Sequence, residues 1–213
     1  MHAKGDPQCT YLSKTVHGPT LIRTQFDDIA CGSLCPMPTV YQSFLFDSAS
    51  GWQVANSAAL PLVANENKAV VSQPNALYDD TPGPVHIGSA GQGFTFDVVS
   101  FQWSAFTPPD IGQKPIQLTV TGLTVDGQTR TYVTPVLDSG LYNPYPVRDY
   151  HEIDGLGRVH SCNAQYDTDF TSPNGIALGF FNLVDVSFAA SRTDTGAPAI
   201  LIFDDIVLRK DSC

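Results

Sequence analysis

Apolar and polar residues alternate with a period of two along several stretches of this chain. Ile116, Leu118 and Val120 fall on one side of such a stretch, and Gln117, Thr119 and Thr121 on the other. That pattern predicts a half-buried β-strand. Residues 129–133 alternate in the same way, and the Asp126-Gly127 dipeptide between the two stretches predicts a hairpin. Strand-like runs bounded by turn signals recur at 21–29, 41–46, 51–55, 68–72, 84–87, 93–106, 115–125, 129–136, 175–189 and 199–208. The run at 94–99 alternates less cleanly and predicts a strand buried on both faces. No stretch sustains a 3.6-residue apolar period, so helices should be short or absent. The glycines of 88–93 precede an alternating strand, not a helix, which predicts a hairpin turn and argues against a phosphate loop. The stretch 137–174 breaks the pattern. It is rich in Tyr, Asp, Pro and Gly, and predicts one long loop of the kind that carries function or moves. Residues 1–20 are polar and irregular and predict an N-terminal arm. No linker divides the remainder, so 21–213 reads as a single all-β domain.

Composition narrows the partners. The chain has 213 residues, 42% of them hydrophobic, enough to bury a substantial core. Its formal net charge is −10. Nucleic acid and anionic membrane both require a basic face, so neither is expected as a partner. No apolar run is long enough to span a bilayer. The acid is almost all Asp, with Glu only at 66 and 152, and there are 17 Gly and 16 Pro. These residues suit turns and oxygen-rich cation sites better than helices. Five cysteines, Cys9, Cys31, Cys35, Cys162 and Cys213, show no zinc or redox spacing. Structural disulfides in a secreted protein are the better account. Pairing is expected among Cys9, Cys31 and Cys35, with Cys162 and Cys213 open and one thiol left over. The opening Met1-His2-Ala3 reads as a mature protein with an added start, and no Asn-x-Ser/Thr sequon occurs.

One tetrapeptide occurs twice, as Phe26-Asp27-Asp28-Ile29 and Phe203-Asp204-Asp205-Ile206. Each copy sits in an apolar, strand-like run. The repeat predicts that the terminal strands meet in one sheet. Adjacent carboxylates beside buried apolar residues are costly unless solvated, hydrogen-bonded or bound to a cation. Asp27, Asp28, Asp204 and Asp205 are therefore candidate ligands of a structural calcium ion. The alternative is that one Asp of each pair faces solvent while the other caps a turn.

The order of short motifs resembles secreted β-jelly-roll proteins of the galactose-binding-like, carbohydrate-binding-module-like class, extracellular proteins of fungal or bacterial type. The resemblance runs through Phe26-Asp27-Asp28, then Tyr41, Phe44, Phe46 and Trp52. It continues through Pro74 to Tyr78, Phe94 to Phe101, Ile116 to Gly127 and Phe180 to Phe188, and closes on Phe203 to Ile206. What the resemblance implies is a two-sheet antiparallel β-sandwich, often with calcium near the paired termini and often with sugar binding. The stretch 137–174 departs from the pattern. A fold does not fix a function, and such scaffolds host binders, enzymes and spacers.

The densest polar and aromatic cluster lies at 142–154. Sugar recognition pairs aromatic faces with planar polar groups, and Tyr142, Tyr145, Arg148, Asp149, Tyr150 and His151 supply both. An ordinary surface loop anchored by its tyrosines is the alternative. Trp52 and Trp103 are either further sugar platforms or core residues, and Tyr78 with Asp79 and Asp80 is either a rim site or an acidic turn. If the chain is an enzyme, His151, Tyr150 and Arg148, with Asn143, are its candidate lyase groups. No two carboxyls are paired as a glycosidase requires. A copper site joining His2 to His86, His151 or His160 is a further alternative. The residues together favour a secreted, monomeric, single-domain binder of a glycan or cell-wall polysaccharide that does no chemistry. A polysaccharide-active lyase or hydrolase on the same scaffold, or a host-interaction protein without a small ligand, are the other classes.

Overall fold

A computed structural model describes residues 20–47, 50–56, 75–79, 81–89, 93–107, 114–134, 136–139, 149–153, 159–163, 166–167 and 180–211. These form sixteen strands: β1 (Thr20–Thr24), β2 (Leu34–Pro36), β3 (Val40–Tyr41), β4 (Phe44–Phe46), β5 (Trp52–Asn56), β6 (Asn75–Asp79), β7 (Val85–Gly88), β8 (Thr95–Phe106), β9 (Lys114–Thr124), β10 (Thr129–Val133), β11 (Leu137–Ser139), β12 (Asp149–Ile153), β13 (Val159–Asn163), β14 (Tyr166–Asp167), β15 (Leu183–Arg192) and β16 (Pro198–Asp211). Their pairings are antiparallel, and no α-helix occurs among the described residues.

The strands form a two-layer sandwich. One layer runs β2-β5-β6-β16-β8, with β1 beside β16 and β14 on β8. The other runs β3-β4-β7-β15-β9, with β10 and β11 along the far side of β9. The β15–β16 hairpin joins the layers through Ala190↔Ala199 and Ser191↔Pro198. Aromatic rings fill the space between them. Phe203 of β16 meets Phe188 of β15 at 4.9 Å, Phe101 of β8 meets Phe188 at 5.1 Å, and Phe44 of β4 meets Phe96 of β8 at 5.4 Å. The inward residues of β9 are the apolar set of the alternation, Ile116, Leu118 and Val120, all buried. On β8, Phe96, Asp97 and Val98 are all buried, as a strand covered on both faces requires.

β1 lies antiparallel to β16 from Thr20↔Lys210 to Thr24↔Ile206, so the terminal strands do meet. The two Phe-Asp-Asp-Ile copies nevertheless differ. The second lies within β16. The first is a turn after β1, closed by Ile29 N donating to Phe26 O at 3.1 Å, with Phe26 at φ 60°. Asn75 of β6 holds that turn: its Nδ2 donates to Phe26 O (3.0 Å) and Ile29 O (2.9 Å), and its amide donates to Asp27 Oδ1 (3.0 Å). Asn75 is buried, so Asn75→Ala removes two side-chain hydrogen bonds from the turn, leaving Phe26 O with Ile29 N alone, and should cost about 2 kcal/mol in chemical denaturation.

Three other expectations are corrected. The stretch 137–174 is not one long loop: it contains β11, the β12–β13 hairpin and β14. The glycines of 88–93 do not join a hairpin pair, because β7 pairs with β15 and β4 and not with β8; residues 90–92 lie outside the described residues, and Gly93 has φ 68°. β2 and β6 are strands that the alternation missed. The Asp126-Gly127 hairpin forms as expected, with Gly127 at φ 79° and Thr124 N donating to Gln128 O at 2.9 Å. The run at 68–72 and most of the 1–20 arm lie outside the described residues.

Cys31 and Cys35 form a disulfide with Cα atoms 5.8 Å apart, within the set in which pairing was expected. It closes a short ring beside the edge strand β2. Loop-closure entropy for so few residues is small, so the Cys31→Ser, Cys35→Ser double variant should lose only about 2 kcal/mol, measured by denaturant unfolding.

Candidate polar face on the outer sheet

The predicted site residues divide into three groups. Trp52 and Trp103 are core residues, 4% and 2% exposed, and neither is a sugar platform. Alternation points both inward. Trp52 packs edge-on against Phe46 and Phe203. Trp52 still bears on the surface above it, because its Nε1 donates to His86 O at 2.9 Å. Trp52→Phe removes that donor from a partly buried carbonyl and should cost about 1 kcal/mol in thermal or chemical unfolding.

The second group is the acidic set. Asp27 accepts the Asn75 amide, and Asp28 Oδ1 accepts the Tyr41 hydroxyl. Gln42 Nε2 donates to the same hydroxyl at 3.2 Å. Burial, and then the hydrogen bond to Asp28, push the Tyr41 hydroxyl well above the ordinary phenol range. The corner is tightly wound, with Gln42 and Ser43 both at positive φ in the β3–β4 turn. Asp204 is fully buried on β16; the Asp205 side chain lies outside the described residues. Calcium takes six to eight oxygens. Among the described residues, no three His, Cys, Asp or Glu side chains converge as metal donors, so the described carboxylates by themselves do not fit that ion.

The third group is the 142–154 cluster. Tyr142, Tyr145 and Arg148 lie outside the described residues, as do Asn143 and His2. Asp149, Tyr150 and His151 fall on β12, with Tyr150 opposite Cys162 and His151 opposite Ser161 of β13; their side chains lie outside the description. Tyr78 is half-buried on β6 and Asp79 is buried beside it, its Oδ1 accepting Thr81 N at 2.9 Å.

The structure also assembles a polar face that the sequence did not disclose. On the β7–β15–β9–β10 sheet, Val85, Ile87, Val186, Phe188, Leu118 and Val120 face the core, and His86, Asp185, Ser187, Thr121 and Thr119 are among the outward positions. Register lines them up: Ser187 is opposite His86 on one side and Thr121 on the other, and Thr121 is opposite Thr131. His86 Nδ1 lies 3.0 Å from Asp185 Oδ2, a diagonal cross-strand contact. The two side chains are 40% and 36% exposed, so the pair is open to a ligand. Beside it, Gly88 leaves room: a Cβ there would stand 3.4 Å from Asp185 Oδ1.

Exposed apolar residues stand at one end of these strands. Leu123, opposite Asp185, is 41% exposed; Val125 is 64% and Phe181 44% exposed. The segment bearing Phe181 is anchored on both sides. Val98 N donates to Phe180 O (3.1 Å), Asn182 N to Asp97 Oδ1 (2.8 Å), and Val125 N to Asn182 O (2.9 Å). Asp97 also receives Arg209. Phe180 is buried over Gly122, where a Cβ would stand 2.8 Å from Leu183 Cδ2 and 3.2 Å from Phe180 Cδ1. Gly122→Ala should therefore cost about 1–3 kcal/mol by overpacking, read as a lower denaturation midpoint. The one sequence clue to Phe181 was the Phe180-Phe181 pair at the start of a strand, where alternation sends only one ring inward.

No family model matches the chain, and no curated protein matches it. Among solved structures it is similar to two carbohydrate-binding modules. One is a family 61 module in complex with β-1,4-galactotriose, at 10% identity and a TM-score of 0.34, over 81% of this chain and 91% of that one. The other belongs to a Clostridium thermocellum endo-1,4-β-D-xylanase 10B, a family 22 module with its catalytic module complexed with xylohexaose. There identity is 11% and the TM-score 0.36, over 89% of this chain and 28% of that one.

Proposed function

We propose that this protein binds a glycan on the outer face of the β7–β15–β9–β10 sheet and performs no chemistry there. One observation carries the proposal: a half-exposed His86–Asp185 pair at 3.0 Å stands in a row of small hydroxyl side chains, with exposed Phe181 at the same end of the strands. Planar polar groups and hydroxyls meet sugar hydroxyls, and an exposed ring offers a face to the sugar's C–H groups. An open sheet face built from short side chains suits an extended chain molecule better than a small enclosed substrate. A screen of immobilised glycans with the purified protein tests this. A saturable signal that falls in the Phe181→Ala variant supports it, and a blank screen with an intact fold refutes it.

Two further elements belong to the same proposal. Secretion is supported by the Cys31–Cys35 disulfide, which oxidising compartments preserve. A structural calcium ion held by Asp27, Asp28, Asp204 and Asp205 is the other element, and its support is the β1–β16 register, which sets Thr24, two residues before the first motif, opposite Ile206 of the second. Bound calcium would stabilise the native state by mass action, so EDTA should lower the melting temperature and excess calcium restore it. An unchanged melting temperature on chelation removes the ion from the account.

A further inference from the structure

We infer that the polar face selects uncharged glycans and rejects those bearing carboxylate or sulfate groups. The inference rests on the proposed binding face and concerns which ligand that face takes. Its basis is the chemistry of the His86–Asp185 pair. Asp185 is acceptor-only when ionised, and the imidazole nitrogen facing it, Nδ1, is the donor in their contact. The pair therefore presents the remaining carboxylate lone pairs of Asp185 to a ligand. Sugar hydroxyls can donate to these, whereas carboxylate and sulfate oxygens have no proton to give.

Charge points the same way. The nearest cations on these strands are misplaced for an anion. Lys114, Arg130 and Arg192 occupy the alternate positions of β9, β10 and β15, on the side opposite to Thr121, Thr131 and Ser187. Arg130 donates to Gln128 Oε1 at 2.6 Å and Arg192 to Asp194 Oδ2 at 2.6 Å. No lysine or arginine stands in the outward row among the described residues, and the whole chain carries −10. An anionic sugar laid over Asp185 would meet a like charge with no lysine or arginine in the same row among the described residues, and like-charge juxtaposition is how interfaces exclude wrong partners.

Affinities should be measured at neutral pH for pairs of glycans that share a backbone and differ only in charge, such as methyl-esterified and de-esterified homogalacturonan, or a neutral galactan and its sulfated form. The expected result is binding to at least one neutral member, with its acidic partner about tenfold weaker at low salt. That ratio should shrink when salt is raised to screen the face. Asp185→Asn keeps the shape and removes the charge, and should bring the ratio toward one; circular dichroism and the melting curve check that the variant folds. Equal or tighter binding of the acidic partner by the wild type, or an unchanged ratio in Asp185→Asn, overturns the selectivity. Failure to bind any member overturns the proposed binding face itself.

Discussion

Phe203→Ala is expected to lower unfolding stability by about 3–5 kcal/mol, the largest loss of any single substitution considered for this chain. Phe203 is fully buried on β16 and sits at the junction of both layers. Its ring meets Trp52 at 5.8 Å, Phe101 at 5.5 Å and Phe188 at 4.9 Å. Truncation removes the transfer free energy of a large ring and leaves a cavity walled by aromatic groups that cannot collapse without moving two strands. Phe203→Leu retains much of the volume and should lose less than half as much. Urea titration of both variants checks the order. A loss below about 1 kcal/mol for Phe203→Ala would mean that the two layers do not share this core.

His86→Ala is expected to weaken glycan binding about tenfold to a hundredfold while leaving stability within about 0.5 kcal/mol of the wild type. The two effects separate because His86 is half-exposed on the solvent side of β7, whereas its carbonyl, which accepts Trp52 Nε1, is backbone and survives the substitution. Removing the imidazole also leaves Asp185 without its partner on that face. Ser187→Ala, directly opposite in register, should have a smaller effect of about threefold, as for a single neutral hydrogen bond. Calorimetric titration of the three proteins with one glycan ligand gives the ranking. If His86→Ala and Ser187→Ala bind as the wild type does, the face is not the site.

The fold was legible wherever burial is one-sided. Alternation in β9 and β10 and the Asp-Gly turn between them are local signals, and a side-chain period of two reports them directly. The meeting of β1 with β16 was legible for a different reason, a repeated motif. What the motif concealed was that its first copy turns at Phe26, a conformation set by Asn75 from β6 and not by the tetrapeptide. β6 itself is buried on both faces and shows no alternation to read. The β12–β13 hairpin was missed because its residues are polar on both sides and carry no apolar stripe.

The candidate site was far less legible. His86 and Asp185 are 99 residues apart. Only the pairing of β7 with β15 makes them neighbours, and no spacing within either strand announces a cross-strand partner. Trp52 and Trp103 misled for the opposite reason: tryptophan serves sugar platforms and hydrophobic cores alike, and its direction depends on register. Here both rings face inward, and Trp52 supports the face from beneath through His86 O instead of presenting itself on the surface.

The most direct test of the central claim is amide chemical-shift mapping with a glycan that binds in the screen. The account predicts that saturating ligand shifts the amides around His86, Asp185, Ser187 and Thr121, with that of Phe181, and leaves those of β12 and β13 in place. Shifts confined to the β12–β13 hairpin, or spread over the β5–β6–β16 layer, would contradict it.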